Sequence, residues 1–217
     1  MKVIPYGDRG LLLELRDAAA VVACVDALRA DPAVVERVGD LVADLVADVV
    51  PGARTVLLVA RPGVTLDALR AVVPGQKHRD APNSGACDPG VSAEVVLPVR
   101  YDGPDLAFVA THTGLSEDAV VAAHTGTPWR VAFGGFAPGF AYLVGGDPRL
   151  QVPRHDSPRA KVPAGAVGLA GEFSGVYPRS SPGGWQLIGR TDTVLWDLDR
   201  DPPALLGAGL TVRFEAT

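Results

Sequence analysis

Beyond Trp129 the chain is cut by glycine and proline too often to hold long regular elements. Short β-prone runs, Val131 to Phe133, Val167 to Ala170, Trp185 to Ile188, Thr193 to Leu198 and Leu210 to Phe214, lie between these breakers. Proline cannot donate inside a sheet, and glycine weakens helix and strand alike. A chain punctuated this way folds as short strands joined by shaped loops, which predicts a small β-barrel or sandwich with functional loops.

The first part of the chain has a different grammar. Val3 and Ile4 precede a Pro-Tyr-Gly-Asp-Arg-Gly turn, and Leu11 to Leu15 reads as a strand. Asp17 is a good N-cap for a helix from Ala18 to Ala30, with Val21, Val25 and Leu28 on one face. Leu45 to Val50, a Pro-Gly turn and Thr55 to Ala60 read as a hairpin, and Thr65 caps a short helix to Val73. This is a βαβ-rich α+β unit. Residues 76–90 are polar and aperiodic, as in a linker. A strand from Ala93 to Val99 follows, then helices from Asp105 to Thr111 and from Ser116, an N-cap, to His124. The expected fold class is an α+β N-terminal domain followed by a mainly-β barrel. The spans are 1–80 for a small α/β domain, 81–92 for a linker and 93–217 for the barrel.

Charge narrows the function. Over 217 residues the net charge is −5, so the broad basic face that nucleic acid demands is not expected. The stretch Val131 to Val144 is too short and too rich in glycine and proline to span a membrane, and the N-terminus lacks a secretory pattern. Cys24 and Cys87 read as reduced thiols of a cytoplasmic protein. Two distant cysteines and four scattered histidines do not make a zinc site, and no metal is expected.

Between Arg149 and Arg190 the balance reverses. Six basic residues (Arg149, Arg154, Arg159, Lys161, Arg179, Arg190) face two acidic ones, Asp156 and Glu172, so this stretch is +4 and the remainder −9. Arginines on stiff loops present planar forks suited to carboxylate or phosphate. Walker A, Gly-x-Ser-x-Gly, Cys-x-x-Cys and His-Glu-x-x-His patterns are all missing. Gly165, Gly168 and Gly171 read as close backbone packing rather than a dinucleotide loop. His124 ends a helix whose dipole favours its charged form, in a capping or structural role. His155, between Arg154 and Asp156, reads as solvated. Phe133, Phe136, Phe140 and Tyr142 crowd a segment with Gly134, Gly135, Pro138 and Gly139. Aromatics at such density read first as core, but proline and glycine make a poor core strand. The other reading is a loop that offers aromatic walls to a pocket or partner. Trp185 reads as buried, with Gln186 turning an amide into the site.

Long segments carry a resemblance. These are Gly135 to Leu143 (GFAPGFAYL), Pro153-Arg154, Pro158-Arg159, Val162 to Gly171 (VPAGAVGLAG), Gly175 to Pro178 (GVYP) and Ser181 to Thr191 (SPGGWQLIGRT). The opening Pro98 to Gly103 (PVRYDG) fits too. Together they resemble the allophanate hydrolase subunit 1 family, to which PxpB proteins (the B subunit of 5-oxoprolinase) and KipI proteins belong. Ala141, Ala166 and Ser174 stand where that family usually has proline, serine and threonine.

The resemblance implies a cyclophilin-like barrel and a relation to the carboxyltransferase part of urea carboxylase. It implies a subunit of an ATP-dependent 5-oxoprolinase-type complex, with ATP used at the level of the complex. The partners implied are a subunit 2 (PxpC-like) chain, a PxpA-like subunit and a small amide substrate. The alternatives are the carboxyltransferase half of a biotin-dependent urea or amide carboxylase, and a KipI-like inhibitor of a histidine kinase. Chemistry and resemblance together mark Arg159, Arg154, Tyr142 and Gln186 as candidate catalytic residues. Arg190, Phe136, Phe140 and Tyr177 are marked for binding the substrate or its anion. Gly135, Pro138, Gly139, Pro163, Gly165, Gly183, Gly184 and Trp185 are marked as shaping the loops.

Overall fold

The computed structural model describes residues 1–30, 45–74 and 94–217. Contacts divide the chain into two compact units, Met1–Gly90 and Val91–Thr217. Residues 76–90 with His78 and Cys87, and the linker span 81–92, lie outside the described residues.

Among the described residues, the first unit is a four-stranded sheet with two helices. Its elements are β1 (Lys2–Tyr6), β2 (Gly10–Glu14), α1 (Ala18–Ala30), β3 (Val46–Pro51), β4 (Thr55–Ala60) and α2 (Leu66–Ala71), with strand order β1-β2-β4-β3. Leu11 and Leu13 of β2 pair with Leu58 and Val56 of β4. These four side chains join Val21, Cys24, Val25 and Leu28 of α1 and Leu69 of α2 in one core. Both caps form as the sequence predicts: Asp17 Oδ1 accepts from Ala20 N at 2.7 Å and Thr65 Oγ1 from Ala68 N at 3.2 Å. Burial pushes the Cys24 thiol above its ordinary pKa, so it stays protonated. The βαβ unit is split: β2 and β3, which flank α1 in sequence, run parallel with β4 inserted between them, so every direct pairing of the described strands is antiparallel. Two tight turns, one at Gly7 and one closed by Gly52 N donating to Thr55 O, reverse the chain within each hairpin.

The second unit is a nearly closed barrel with helices. Its elements are β5 (Glu94–Val99), α3 (Leu106–Thr113), α4 (Glu117–Gly126), β6 (Trp129–Gly134), β7 (Ala141–Val144), β8 (Arg159–Val162), β9 (Ala166–Ala170), β10 (Phe173–Val176), β11 (Ser181–Gly183), β12 (Gln186–Arg190) and β13 (Thr211–Ala216). Seven strands run in the order β12-β9-β10-β7-β6-β13-β5, and β8 and β11 pair apart. β13 and β5 are parallel and the other pairs antiparallel, so the sheet is mixed. Its edges meet where Arg100 and Arg190 exchange two backbone hydrogen bonds of 2.9 Å. Inside lie Leu97, Val131, Leu143, Leu169, Ile188 and Phe214, with Val109 and Val120 packed against them from α3 and α4. β9 is buried on both faces, because Val167 and Leu169 enter this core while Ala166 and Ala170 enter a second cluster outside it. No described helix is long and apolar enough to cross a membrane.

Four strands escape the sequence reading: β7, β8, β10 and β11. Each has three or four residues; charge, glycine, serine or proline interrupts β8, β10 and β11, while β7 (AYLV) is a short run at the end of a loop rich in glycine and proline. The expected strand Thr193 to Leu198 makes only one bridge, Trp196 to Ala204. Pro202 and Pro203 on the facing segment cannot donate, so the ladder ends with Leu205 N to Leu195 O (2.9 Å) and Asp197 N to Pro203 O (3.0 Å).

Candidate functional site

The loop between β6 and β7 is two turns laid end to end. Phe140 N donates to Ala137 O at 3.0 Å around Pro138 and Gly139, and Gly139 has φ 81°, which suits glycine after proline in a tight turn. Ala137 N donates to Gly135 O at 2.7 Å, closing a three-residue turn centred on Phe136. Phe136 has φ 68°, the one non-glycine positive φ among the described residues. A bulky residue is held there against its backbone preference, and such strain clusters at ligand-contacting positions. The turn leaves the Phe136 ring 58% exposed.

Behind it, Phe140 is the hub of an aromatic cluster. Its ring meets Phe136 (5.3 Å between centroids), Tyr142 (5.1 Å), Tyr177 (5.4 Å) and Trp185 (5.4 Å), all edge to face. These rings, with Arg154, Pro158, Pro182, Gly183 and Gly184, line a cavity of about 210 Å³. The Arg154 guanidinium stands 6.0 Å from the Trp185 ring centroid, and among the described residues it has no carboxylate partner. Burial pushes the Tyr177 phenol above its ordinary pKa, while a backbone hydrogen bond at Trp185 and the Arg154 charge oppose the shift. A Cβ at Gly183 would overlap the Tyr177 ring, so the absent side chain lets that strand lie on the phenol.

The segment that carries Arg154 is strapped to residues 184–187. His155 N donates to Gly184 O (2.8 Å), Gln186 Nε2 to Pro153 O (2.9 Å) and Arg159 Nη1 to Trp185 O (3.3 Å). Asp105 anchors the strap from beneath. Its carboxylate, on a residue 6% exposed, accepts from Arg159 Nη2 and Leu187 N, both at 2.6 Å, and lies 3.3 Å from His155 Nε2. His155 is thus half-buried rather than fully solvated as its flanking charges suggested: its Nε2 is buried beside the Asp105 carboxylate without a hydrogen bond to it.

The structure thus gathers Phe136, Phe140, Tyr142, Arg154, Tyr177, Gly183, Gly184 and Trp185 around one cavity. Arg159 stands next to it but is engaged by Asp105, and Gln186 is buried with its Oε1 unpartnered. Gly135 and Pro138 shape the turn, and Pro163 O accepts from Ala166 N at the entry to β9. Gly165, φ 78°, leaves room for Thr191 O, and Gly168 packs closely on Trp185. Gly171 has open space around it, so its need is a left-handed turn and not close packing. Arg190 belongs elsewhere, paired with Asp102 at 2.7 Å beside a separate cavity lined by Arg100, Asp192 and Thr193. Pro158, Pro182 and Asp105 were missed as site residues. The prolines looked like mere punctuation, and nothing local marks Asp105 as buried.

His124 has the structural role of the two expected, and the correction concerns its charge: it is fully buried, and burial lowers its pKa to about 3. Desolvation outweighs the helix dipole at such a position. Its Nδ1 meets the Tyr101 hydroxyl at 2.7 Å and its Nε2 the buried Ser174 Oγ at 2.8 Å, a closed polar set inside the barrel. No described group of three or more His, Cys, Asp or Glu residues could hold a metal ion.

Residues 1–206 match the family described as carboxyltransferase domain, subdomain C and D. The chain is 44% identical over 170 residues to the 5-oxoprolinase B subunit of Escherichia coli O157:H7, covering 76% of this chain and 75% of that protein. It is 49% identical over 123 residues to the 5-oxoprolinase B subunit of Bacillus subtilis strain 168, covering 55% of this chain and 51% of that protein. In fold it resembles the urea carboxylase of Kluyveromyces lactis, with TM-score 0.67 and 19% identity over 99% of this chain and 21% of the longer one.

Proposed function

We propose a function from one premise: the chain belongs to the carboxyltransferase-domain family, subdomains C and D. It serves as the PxpB-type component of a cytoplasmic, ATP-dependent 5-oxoprolinase-type complex that opens 5-oxoproline to glutamate. A subunit 2 (PxpC-type) chain completes its site, and a PxpA-type subunit completes the reaction. The barrel is read as cyclophilin-like on the sequence resemblance. Relatives named as the B subunit of 5-oxoprolinase support the activity, whereas the urea carboxylase likeness concerns the fold alone.

The observation that carries the proposal within the site is Arg154, which has no carboxylate partner among the described residues, at an aromatic cavity. 5-Oxoproline is a small, flat cyclic amide bearing a carboxylate. Arg154 takes the carboxylate as a bidentate fork, while Phe136, Phe140 and Trp185 enclose the ring. Tyr177, kept protonated by burial, is a hydrogen-bond donor and not a base. Tyr142 is the second phenol available to the amide. Arg159 and Gln186 hold the strap on which Arg154 is mounted. ATP does not fit this cavity: about 210 Å³ lies below the ~300–1,000 Å³ of drug-sized pockets, and one arginine does not match a triphosphate.

The test is reconstitution with PxpC-type and PxpA-type subunits, followed by ATP-dependent glutamate release from 5-oxoproline. Wild-type chain should support release, and Arg154→Ala should raise KM by roughly tenfold or more, the loss of one charged contact. Absence of release from the full set would overturn the assignment, and an unchanged KM would remove Arg154 from the site.

A further inference from the structure

We infer that residues 194–198 form the docking edge for the companion chain, through addition of a strand from that chain. The inference rests on the proposed role as one subunit of a complex. Val194, Leu195, Trp196, Asp197 and Leu198 alternate as a strand should, with Leu195 buried in the barrel core. The alternate residues Val194, Trp196 and Leu198 are 58%, 37% and 79% exposed. Val194 and Trp196 share one face of an extended segment, and Leu198 stands exposed beyond them in the turn that Arg200 N closes on Asp197 O at 3.3 Å.

The backbone tells the same story. Leu195 O and Asp197 N are used inward, bonded to Leu205 N and Pro203 O. Residues one apart on a strand point their N–H and C=O to opposite edges, so those of Val194 and Trp196 point outward. Among the described residues only one of these is occupied, Val194 O by Arg200 Nη2 at 3.0 Å. An open edge beneath an exposed apolar face is the geometry that takes an extra strand.

Charge and position select the occupant. Asp192, Asp197, Asp199 and Asp201 flank the edge, while Arg200 turns back onto Val194 O and Pro203 O. An acidic rim disfavours pairing with the same edge of a second copy and favours a segment with apolar residues at alternate positions and lysine or arginine at its ends. The edge also adjoins the site. A Cβ on Gly139 would lie 2.8 Å from Trp196 Cβ, which places Trp196 against the turn that carries Phe136. A chain docked there stands beside the Arg154 cavity, where a shared site requires it. In the urea carboxylase of K. lactis this fold is about a fifth of a longer chain, covering 21% of it.

The probe is the PxpC-type subunit, titrated against this chain by calorimetry at low and high salt. Leu198→Glu and Val194→Pro are the variants. The first places a charge beside the exposed face, and the second deletes an outward N–H that no described group uses. Each should weaken binding by about tenfold or more, and wild-type affinity should fall as salt rises. Phe108→Ser, an exposed aromatic on α3, is the control and should bind as wild type. Circular dichroism verifies the fold of every variant. If wild type does not bind the PxpC-type subunit at all, the complex reading fails. If wild type binds and folded Leu198→Glu and Val194→Pro bind equally well, the docking edge is wrong and the complex reading stands.

Discussion

Arg159→Ala should cost the barrel stability, in contrast to Arg154→Ala five residues earlier. The Arg159 side chain is 29% exposed and donates to Asp105 Oδ1 at 2.6 Å and to Trp185 O at 3.3 Å. Breaking a fully buried pair costs about 3–5 kcal/mol, and a hydrogen bond to a charged group contributes about 1.5–3 kcal/mol. Partial exposure of Arg159 draws the estimate toward the lower figure. Asp105 also keeps Leu187 N at 2.6 Å and His155 Nε2 at 3.3 Å. A loss of about 2 kcal/mol follows. For a unit of this size about 4 °C accompanies each kcal/mol, so the barrel transition should fall by about 8 °C in calorimetry. The second measurement is a double-mutant cycle with Asp105→Asn. In that background Arg159→Ala should cost less than half as much, because the charge it neutralises is gone. An Arg159→Ala transition within a degree of wild type, together with additive variants, would refute the strap.

Arg154→Ala should leave the same transition within about 2 °C of wild type, since its guanidinium pairs with no described carboxylate. Gly165→Ala should destabilise by at least about 2 kcal/mol, because φ is 78° and the new Cβ would overlap Thr191 O. Gly171→Ala has the same sign of φ but open space, and should cost only about 1 kcal/mol; equal effects in urea melts would show that the packing at Gly165 is unimportant. For His124, the folded pKa of about 3 lies below the unfolded value near 6.5, so the unfolded chain takes up the proton first as pH falls. Its contribution is fully present above about pH 6.5 and is lost toward pH 3, at about 1.4 kcal/mol per pH unit. Comparing urea melts of wild type and His124→Gln at pH 7.5 and 5 tests this, and parallel pH slopes for the two would contradict it.

How much of this could be read from residues depended on whether the signal was local. Both helix N-caps of the first unit, the aromatic loop and the strands with alternating apolar residues carry their cause within a few positions. β8 and β11 do not: an Arg-Ala-Lys-Val run and a Ser-Pro-Gly run become strands only because each finds the other. The same limit divided the candidate site. Arg154 and Arg159 occur in near-identical Pro-Arg contexts, and no local rule separates them. What separates them is Asp105, buried 54 residues earlier in the chain, which claims one guanidinium and not the other. His155 was misjudged for the same reason, since its flanking charges said solvent while a distant carboxylate said otherwise.

The failed strand at 193–198 is informative in the opposite direction. Its alternation is a true strand signal, and Leu195 obeys it by entering the core. Pro202 and Pro203 deny it a continuous partner within this unit, so its outer edge and apolar face remain open. A sequence that keeps strand alternation where its own fold cannot satisfy it retains apolar exposure that costs solubility. That cost is offset when another chain supplies the missing strand, which makes the mismatch between sequence pattern and observed pairing the mark of an interface beside the Arg154 cavity.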